Sequence, residues 1–180
     1  MTMDRRVRRT KKRLREALLG LLCTKSVEDI TVSELAIKAD INRGTFYTHY
    51  RDAEDLLANI ENDFLKRIED CFALGANRNI LEGLFESVDA ESDLFKVMLM
   101  KPYFAEFSEK FKEVIESGCR KTWKLDEHNQ KYVTDHAYYY MVWGLCGMCY
   151  EWMKSAERRT PLEMAILAEI FLMNTIRATH

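Results

Sequence analysis

Residues 31–50, TVSELAIKADINRGTFYTHY, hold two short helices and the turn between them. Thr31 stands three residues before Glu34, the spacing of a capping box at a helix start. Val32, Leu35 and Ala36 then form one apolar face at helical spacing. The turn falls around Ala39-Asp40-Ile41, and Asn42 is placed to cap a second helix reaching Tyr47 or Thr48. Phe46 and Tyr50 lie four apart and point into a small core. Arg43, Thr45, Tyr47, Thr48 and His49 are left facing outward. Two helices so joined make a helix-turn-helix, whose second helix enters the DNA major groove.

Over Thr31, Leu35, Ala36, Gly44, Thr45, Phe46, Tyr47, His49 and Tyr50, followed by Leu56 and Leu57, the chain resembles the TetR/AcrR family of bacterial transcription regulators. The resemblance implies an all-α fold of about nine helices. An N-terminal three-helix, helix-turn-helix DNA-binding head would occupy residues 1–51. A helical dimerisation and ligand-binding body would occupy 52–180, with 52–74 as the connecting helix. It also implies double-stranded DNA as a partner, a homodimer on a palindromic operator, and a possible small-molecule effector. Repression by operator occupancy is the usual outcome in the family. The alternative is a regulator without a small-molecule pocket, controlled by a protein partner or acting as a coactivator.

The same resemblance nominates the DNA contacts. Arg43 would pair with a guanine, Thr45 would meet a thymine methyl or a phosphate, and Tyr47 or Thr48 would reach base edges. Thr31, Tyr47 and His49 are candidates for phosphate, and Gly44 would permit close approach. Many family members carry a lysine three residues after the aromatic matched by Tyr50. Ala53 stands there instead, and Arg51 is the candidate replacement.

Charge is unevenly spread. Residues 1–50 carry 11 Lys and Arg against 6 Asp and Glu, whereas the remainder carries 16 against 23. A basic head on an acidic body suits nucleic acid at one end only. Most of the excess lies in Arg5 to Arg15, where Arg8 and Arg9 are expected in an arm on phosphate or in the minor groove.

Seven glycines and two prolines in 180 residues predict few breaks. A first helix is expected from about Thr10 to Cys23. A fourth, capped by Asp52, should end near Leu74 at Gly75-Ala76-Asn77. Further helices should span about Arg78–Val88, Ser92–Met100, Pro102–Gly118 and Asn129–Ser155, with Asp126 to Asn129 as a loop or helix start. Thr160-Pro161-Leu162-Glu163 carries the cap, first-turn proline and third-position glutamate of a strong final start.

The last two helices are apolar around most of their girth, from Tyr132 and Val133 to Trp152 and from Leu162 to Ile176. Such helices bury against more than their own domain. Tyr140, Gly144, Met148, Trp152, Ile166, Ile170 and Met173 are therefore expected at a dimer interface. Phe95, Met98, Tyr103, Phe107, Phe111, Trp123, Tyr139 and Trp143, with Leu99 and Phe104, could line an effector pocket or simply fill the core. No charge among them names a ligand class, so an apolar or aromatic effector is the default.

Five cysteines without framework spacing favour a reducing, cytoplasmic setting. Cys146-Gly-Met-Cys149 falls inside an apolar helix, which argues against redox or metal chemistry. No metal, cofactor or enzymatic constellation is expected. Neither a membrane span nor a signal peptide is expected, since the apolar run Leu18–Leu22 is short and contains Gly20.

Overall fold

The computed structural model describes residues 5–74, 77–99, 103–123 and 131–177, without the side chains of 77, 131–134, 176 and 177. The expectations for Gly75, Ala76, Pro102 and 126–129, and for the side chains of Asn77, Tyr132, Val133 and Ile176, lie outside the described residues. Among those residues there are nine α-helices and no strand. They are α1 (Arg5–Leu22), α2 (Val32–Lys38), α3 (Arg43–Tyr47), α4 (Ala53–Cys71), α5 (Asn77–Ala90), α6 (Ser92–Met98), α7 (Phe104–Thr122), α8 (Lys131–Lys154) and α9 (Pro161–Arg177), with a 3₁₀ turn at Val27–Asp29. The chain divides into two units, Met1–Asp63 and Phe64–His180.

In the first unit α1 packs on α2, and α2 on α3. Leu14, Leu18 and Leu22 of α1 meet a core completed by Leu35, Phe46 and Leu56, all buried. Full burial of a side chain such as Phe46 contributes about 1.5–3 kcal/mol. The α2–α3 turn places Asp40 at φ 51°, a left-handed backbone that Asp tolerates better than most residues. The Arg13 guanidinium donates to the Asp40 backbone oxygen and to its carboxylate, each at 3.3 Å.

α1 begins at Arg5 rather than near Thr10, so the basic run from Arg5 to Arg9 is helical. Arginine is among the better helix formers, and nothing between Arg5 and Arg9 breaks the helix.

In the second unit α5 lies along α9, α7 along α8, and α8 also meets α9. Arg78 of α5 donates to Glu169 of α9 at 2.9 and 2.6 Å. The Tyr138 hydroxyl of α8 donates to the Trp123 carbonyl just after α7, at 2.7 Å. Phe64, Phe95, Phe107 and Phe111 form one cluster with ring centroids 5.6–6.1 Å apart. Phe64 belongs to α4, so the later turns of that helix are anchored in the aromatic core of this unit.

Gly118 has a packing reason that its sequence position conceals. It lies within α7, and a Cβ there would fall 2.3–2.4 Å from Phe72 ring atoms. Phe72 in turn meets Trp123 edge-on at 6.1 Å. We expect Gly118→Ala to destabilise the protein by about 1–3 kcal/mol, despite alanine's better helix propensity. Urea denaturation checks this, and a gain in stability would show that the ring does not rest there.

Candidate nucleic-acid interface and body cavities

Both helices of the head motif start as their sequence requires. The Thr31 hydroxyl accepts from the Glu34 amide at 3.2 Å, and the Thr31 amide donates to the Glu34 carboxylate at 3.0 Å. The Thr31 hydroxyl also lies 3.0 Å from that carboxylate as donor. Lys25 pairs with the same carboxylate. The Lys25 ammonium, then the Thr31 amide and hydroxyl, hold the Glu34 carboxyl down at about 2. At the next helix, Asn42 Oδ1 accepts from the Gly44 amide at 2.8 Å.

A carboxyl lowered in the folded state contributes stability above its ordinary value near 4.5. That contribution is lost as pH falls from there toward about 2. Glu34→Gln should therefore melt lower than wild type at neutral pH. The gap between the two should close on acidification through this window, as thermal scans in a pH series would show. A gap independent of pH would assign the loss to shape rather than charge.

The outward face of α3 carries Arg43, Gly44, Tyr47 and, at its C-cap, Thr48, all exposed. Tyr47 keeps 53% of its surface exposed while its ring meets Phe46 edge-on at 5.7 Å. Such a tyrosine is held by its ring against the core while half of its surface faces solvent. Thr45 and His49, on the same stretch, are half-buried. The Thr48 hydroxyl donates to the Thr45 carbonyl at 2.7 Å, which spends its proton within the helix. A Cβ on Gly44 would meet Asn42 Oδ1 at 3.3 Å, so the small residue also accommodates the cap.

Arg51 is exposed, and its guanidinium lies 3.6 Å from the Asp55 carboxylate. Ala53, at the place of the missing lysine, is buried in the head. Arg8 and Arg9 are exposed on α1, whose first turn contains no acidic residue. Several arginines at the positive end of a helix dipole repel it, and a phosphate backbone would relieve that repulsion. Sequence reasoning missed Ile37, which is 80% exposed at the end of α2 beside the turn. The helical period around Leu35 and Ala36 points it away from the core.

In the body, α8 and α9 present an apolar outer face. Tyr140 is 65% exposed, Trp143 57%, Ile170 51% and Phe171 53%. A groove of about 380 Å³ runs between the two helices, lined in part by Tyr139, Gly144, Met148 and Phe171. Ile166 is exposed on α9, while Met148 and Met173 are half-buried. Trp152, expected on this face, is instead buried inside the unit. Its ring meets Phe85 edge-on at 5.4 Å, and its Nε1 donates to the Arg159 carbonyl at 2.9 Å. An indole N–H needs a partner when buried, and this one finds it in its own chain.

A second cavity, of about 150 Å³, opens between α6, α7 and α8. Phe95, Phe107, Phe111 and Trp143 line it together with Leu99 and Phe104. The other expected pocket residues lie elsewhere: Met98 is fully buried in the core, Trp123 packs on Phe72, and Tyr139 faces the outer groove. Tyr103, half-buried just before α7, is not part of the lining. Lining residues missed in the sequence are Ser108, Lys112, Cys146, Gly147 and Tyr150. The i, i+4, i+7 spacing of Trp143, Gly147 and Tyr150 was the available signal.

All five cysteines are free thiols. Burial pushes Cys146 up to about 12 and Cys149 well above its ordinary value. They therefore stay protonated at neutral pH, unlike a reactive Cys-X-X-Cys pair. Among the described residues no group of three His, Cys, Asp or Glu could hold a metal, and no helix is long and apolar enough to cross a membrane.

Residues 78–174 match the family model TetR_C_8, a transcriptional regulator C-terminal region. An uncharacterized HTH-type transcriptional regulator of Bacillus subtilis (strain 168), YxbF, is 29% identical over 113 residues, covering 57% of this chain and 29% of that protein. The chain thus matches less than a third of the length of that curated relative. Among solved structures, the dihydroxyacetone kinase operon activator DhaS superposes with a TM-score of 0.65 at 19% identity, over 95% of this chain and 98% of that one. A TetR/AcrR-type regulator from Aquifex aeolicus VF5 superposes at 0.66 with 18% identity, over 92% and 98%. At these identities the structures carry the fold, and they carry it across both units. The relatives are transcriptional regulators rather than enzymes.

Proposed function

The chain belongs to the TetR/AcrR family of transcriptional regulators, and from that premise we propose that it binds a palindromic operator as a homodimer and represses transcription by occupying it. A small apolar or aromatic effector entering the body releases it. The observation that carries this reading is the outward face of α3, where Arg43 and Tyr47 stand exposed on a helix capped by Asn42 and anchored by buried Phe46. The exposed arginines of α1 supply phosphate contacts that add affinity without sequence preference. Arg51 replaces the missing lysine by turning from Asp55 to a phosphate. The protein works in the cytoplasm, where the DNA is.

Two copies joined through the α8–α9 face would hold their α3 helices about one DNA turn apart, roughly 34–36 Å. Two-fold protein symmetry then imposes symmetry on the half-sites. The effector acts through the phenylalanine cluster. A ligand against Phe95, Phe107 and Phe111 displaces Phe64, and with it the angle of α4. It does so only by binding one state more tightly than the other.

A second reading, control by a protein partner or action as a coactivator, is favoured by the small volume of the inner cavity. Selection of random duplex DNA by the purified protein, followed by sequencing, tests the proposal. Enrichment of one inverted repeat is expected. Salt-sensitive retention without an enriched sequence would overturn it in favour of the partner-dependent reading.

A further inference from the structure

We propose that the cavity between α6, α7 and α8 takes a single-ring aromatic monocarboxylate, with Lys112 as its counter-ion. This rests on the effector reading above and names the ligand class for that site. Volume sets the first limit. A cavity of about 150 Å³ with apolar walls is the size that holds one benzene ring. The walls set the second. Phe107, Phe111, Trp143 and Tyr150 offer ring faces and edges to an aromatic guest.

Charge sets the third. Among the described residues, Lys112 is the one lining side chain charged at neutral pH, and no carboxylate lines the cavity. Its ammonium lies 5.4 Å from the Trp143 ring centroid, against an aromatic wall. Lys112 is paired with Glu109, whose side chain is 59% exposed while that of Lys112 is only 23% exposed. An ion pair open to water on its acidic side contributes little, so a ligand carboxylate can replace Glu109 at small cost. Glu109 chiefly, and Glu113 and Glu116 more weakly, raise the Lys112 ammonium above its ordinary value. When a ligand carboxylate takes the place of Glu109, Glu113 and Glu116 remain and oppose a second negative charge, which selects a monoanion over a phosphate monoester.

The test uses three molecules of one shape: benzoate, benzamide and benzylamine. Each is titrated by calorimetry into the full-length protein at neutral pH and millimolar concentration. Benzoate should bind about tenfold or more tighter than benzamide, with benzylamine weakest. Lys112→Met keeps the aliphatic stem and should lose the preference for benzoate while still binding benzamide. Gly147→Val should lose both ligands, because a Cβ there meets nothing within 4 Å and the side chain takes the vacant space. Thermal scans confirm that the variants are folded. Equal binding of benzamide and benzoate, or a preference that survives in Lys112→Met, overturns the carboxylate assignment and leaves an apolar effector site standing. No heat with any of the three overturns both the ligand class and the cavity as an effector site.

Discussion

Replacing Arg43 and Tyr47 together by alanine should abolish sequence-specific DNA binding and leave the head folded. Both side chains are exposed, so neither contributes much to the core. Phe46, fully buried between them, and the Asn42 cap keep α3 in place in the double variant. A bidentate arginine pairing with guanine discriminates by about 1–3 kcal/mol. Removing two base-reading side chains from each of two half-sites should weaken binding by about a thousandfold or more, since separated positions add roughly.

Electrophoretic or fluorescence titration against the selected operator measures this weakening, and circular dichroism checks the fold. The salt dependence separates roles. Arg8→Ala and Arg9→Ala should weaken specific and random duplexes alike, lowering the salt slope by about 0.9 for each phosphate no longer neutralised. Arg43→Ala should instead relax the preference at one base position. An unchanged operator preference in the double variant would remove α3 as the reading helix.

The second large effect is expected at the outer face of α8 and α9. Ile170→Glu with Phe171→Glu should convert a dimer into monomers. Both residues are about half exposed in a single copy, so the charges cost that copy little. Across a two-fold interface each substitution appears twice, and desolvating four unpaired carboxylates costs several kcal/mol. The dimer dissociation constant should rise by about a thousandfold or more, and operator affinity should fall with it. Sedimentation at several protein concentrations reads the first, and DNA titration the second.

Gly144 stands on the same outer face. It lines the outer groove, and a Cβ there would meet nothing in its own copy. Gly144→Ala should therefore stabilise the helix by about 0.5–1 kcal/mol. If the same change weakens association, close approach of a second copy is the reason for the glycine. A doubly charged variant that stays dimeric would place the interface elsewhere.

What can be read directly from the chain is local. The starts of α2, α3 and α9 are written within three or four residues, as Thr31 with Glu34, Asn42 with Gly44, and Thr160 with Glu163. In each, the cap bonds link residues no further apart than one helical turn. The inward direction of Phe46 and Tyr50 follows from the same short period. The start of α1 falls earlier than expected because the charge of the arginine run suggests a segment outside the helix, whereas arginine's helix propensity carries the helix back to Arg5.

The cavity is legible only in part. Phe95, Phe107, Phe111 and Trp143 stand out as aromatic, but Lys112 does not, because on α7 it looks like one more charge on a solvated face. Trp152 shows the opposite failure. An apolar residue on an apolar helix suits an interface or a core equally well, and Phe85 and the Arg159 carbonyl decide for the core.

Most of the helices, the caps of α2, α3 and α9 and the outward α3 face are thus written in the chain, since hydrogen bonds and side-chain period act over one turn. Packing between distant segments sets Phe72 on Gly118, Phe64 of α4 against the cavity wall, and Lys112 among aromatic rings. Those packings join residues far apart in sequence, and no local period records which distant side chain arrives.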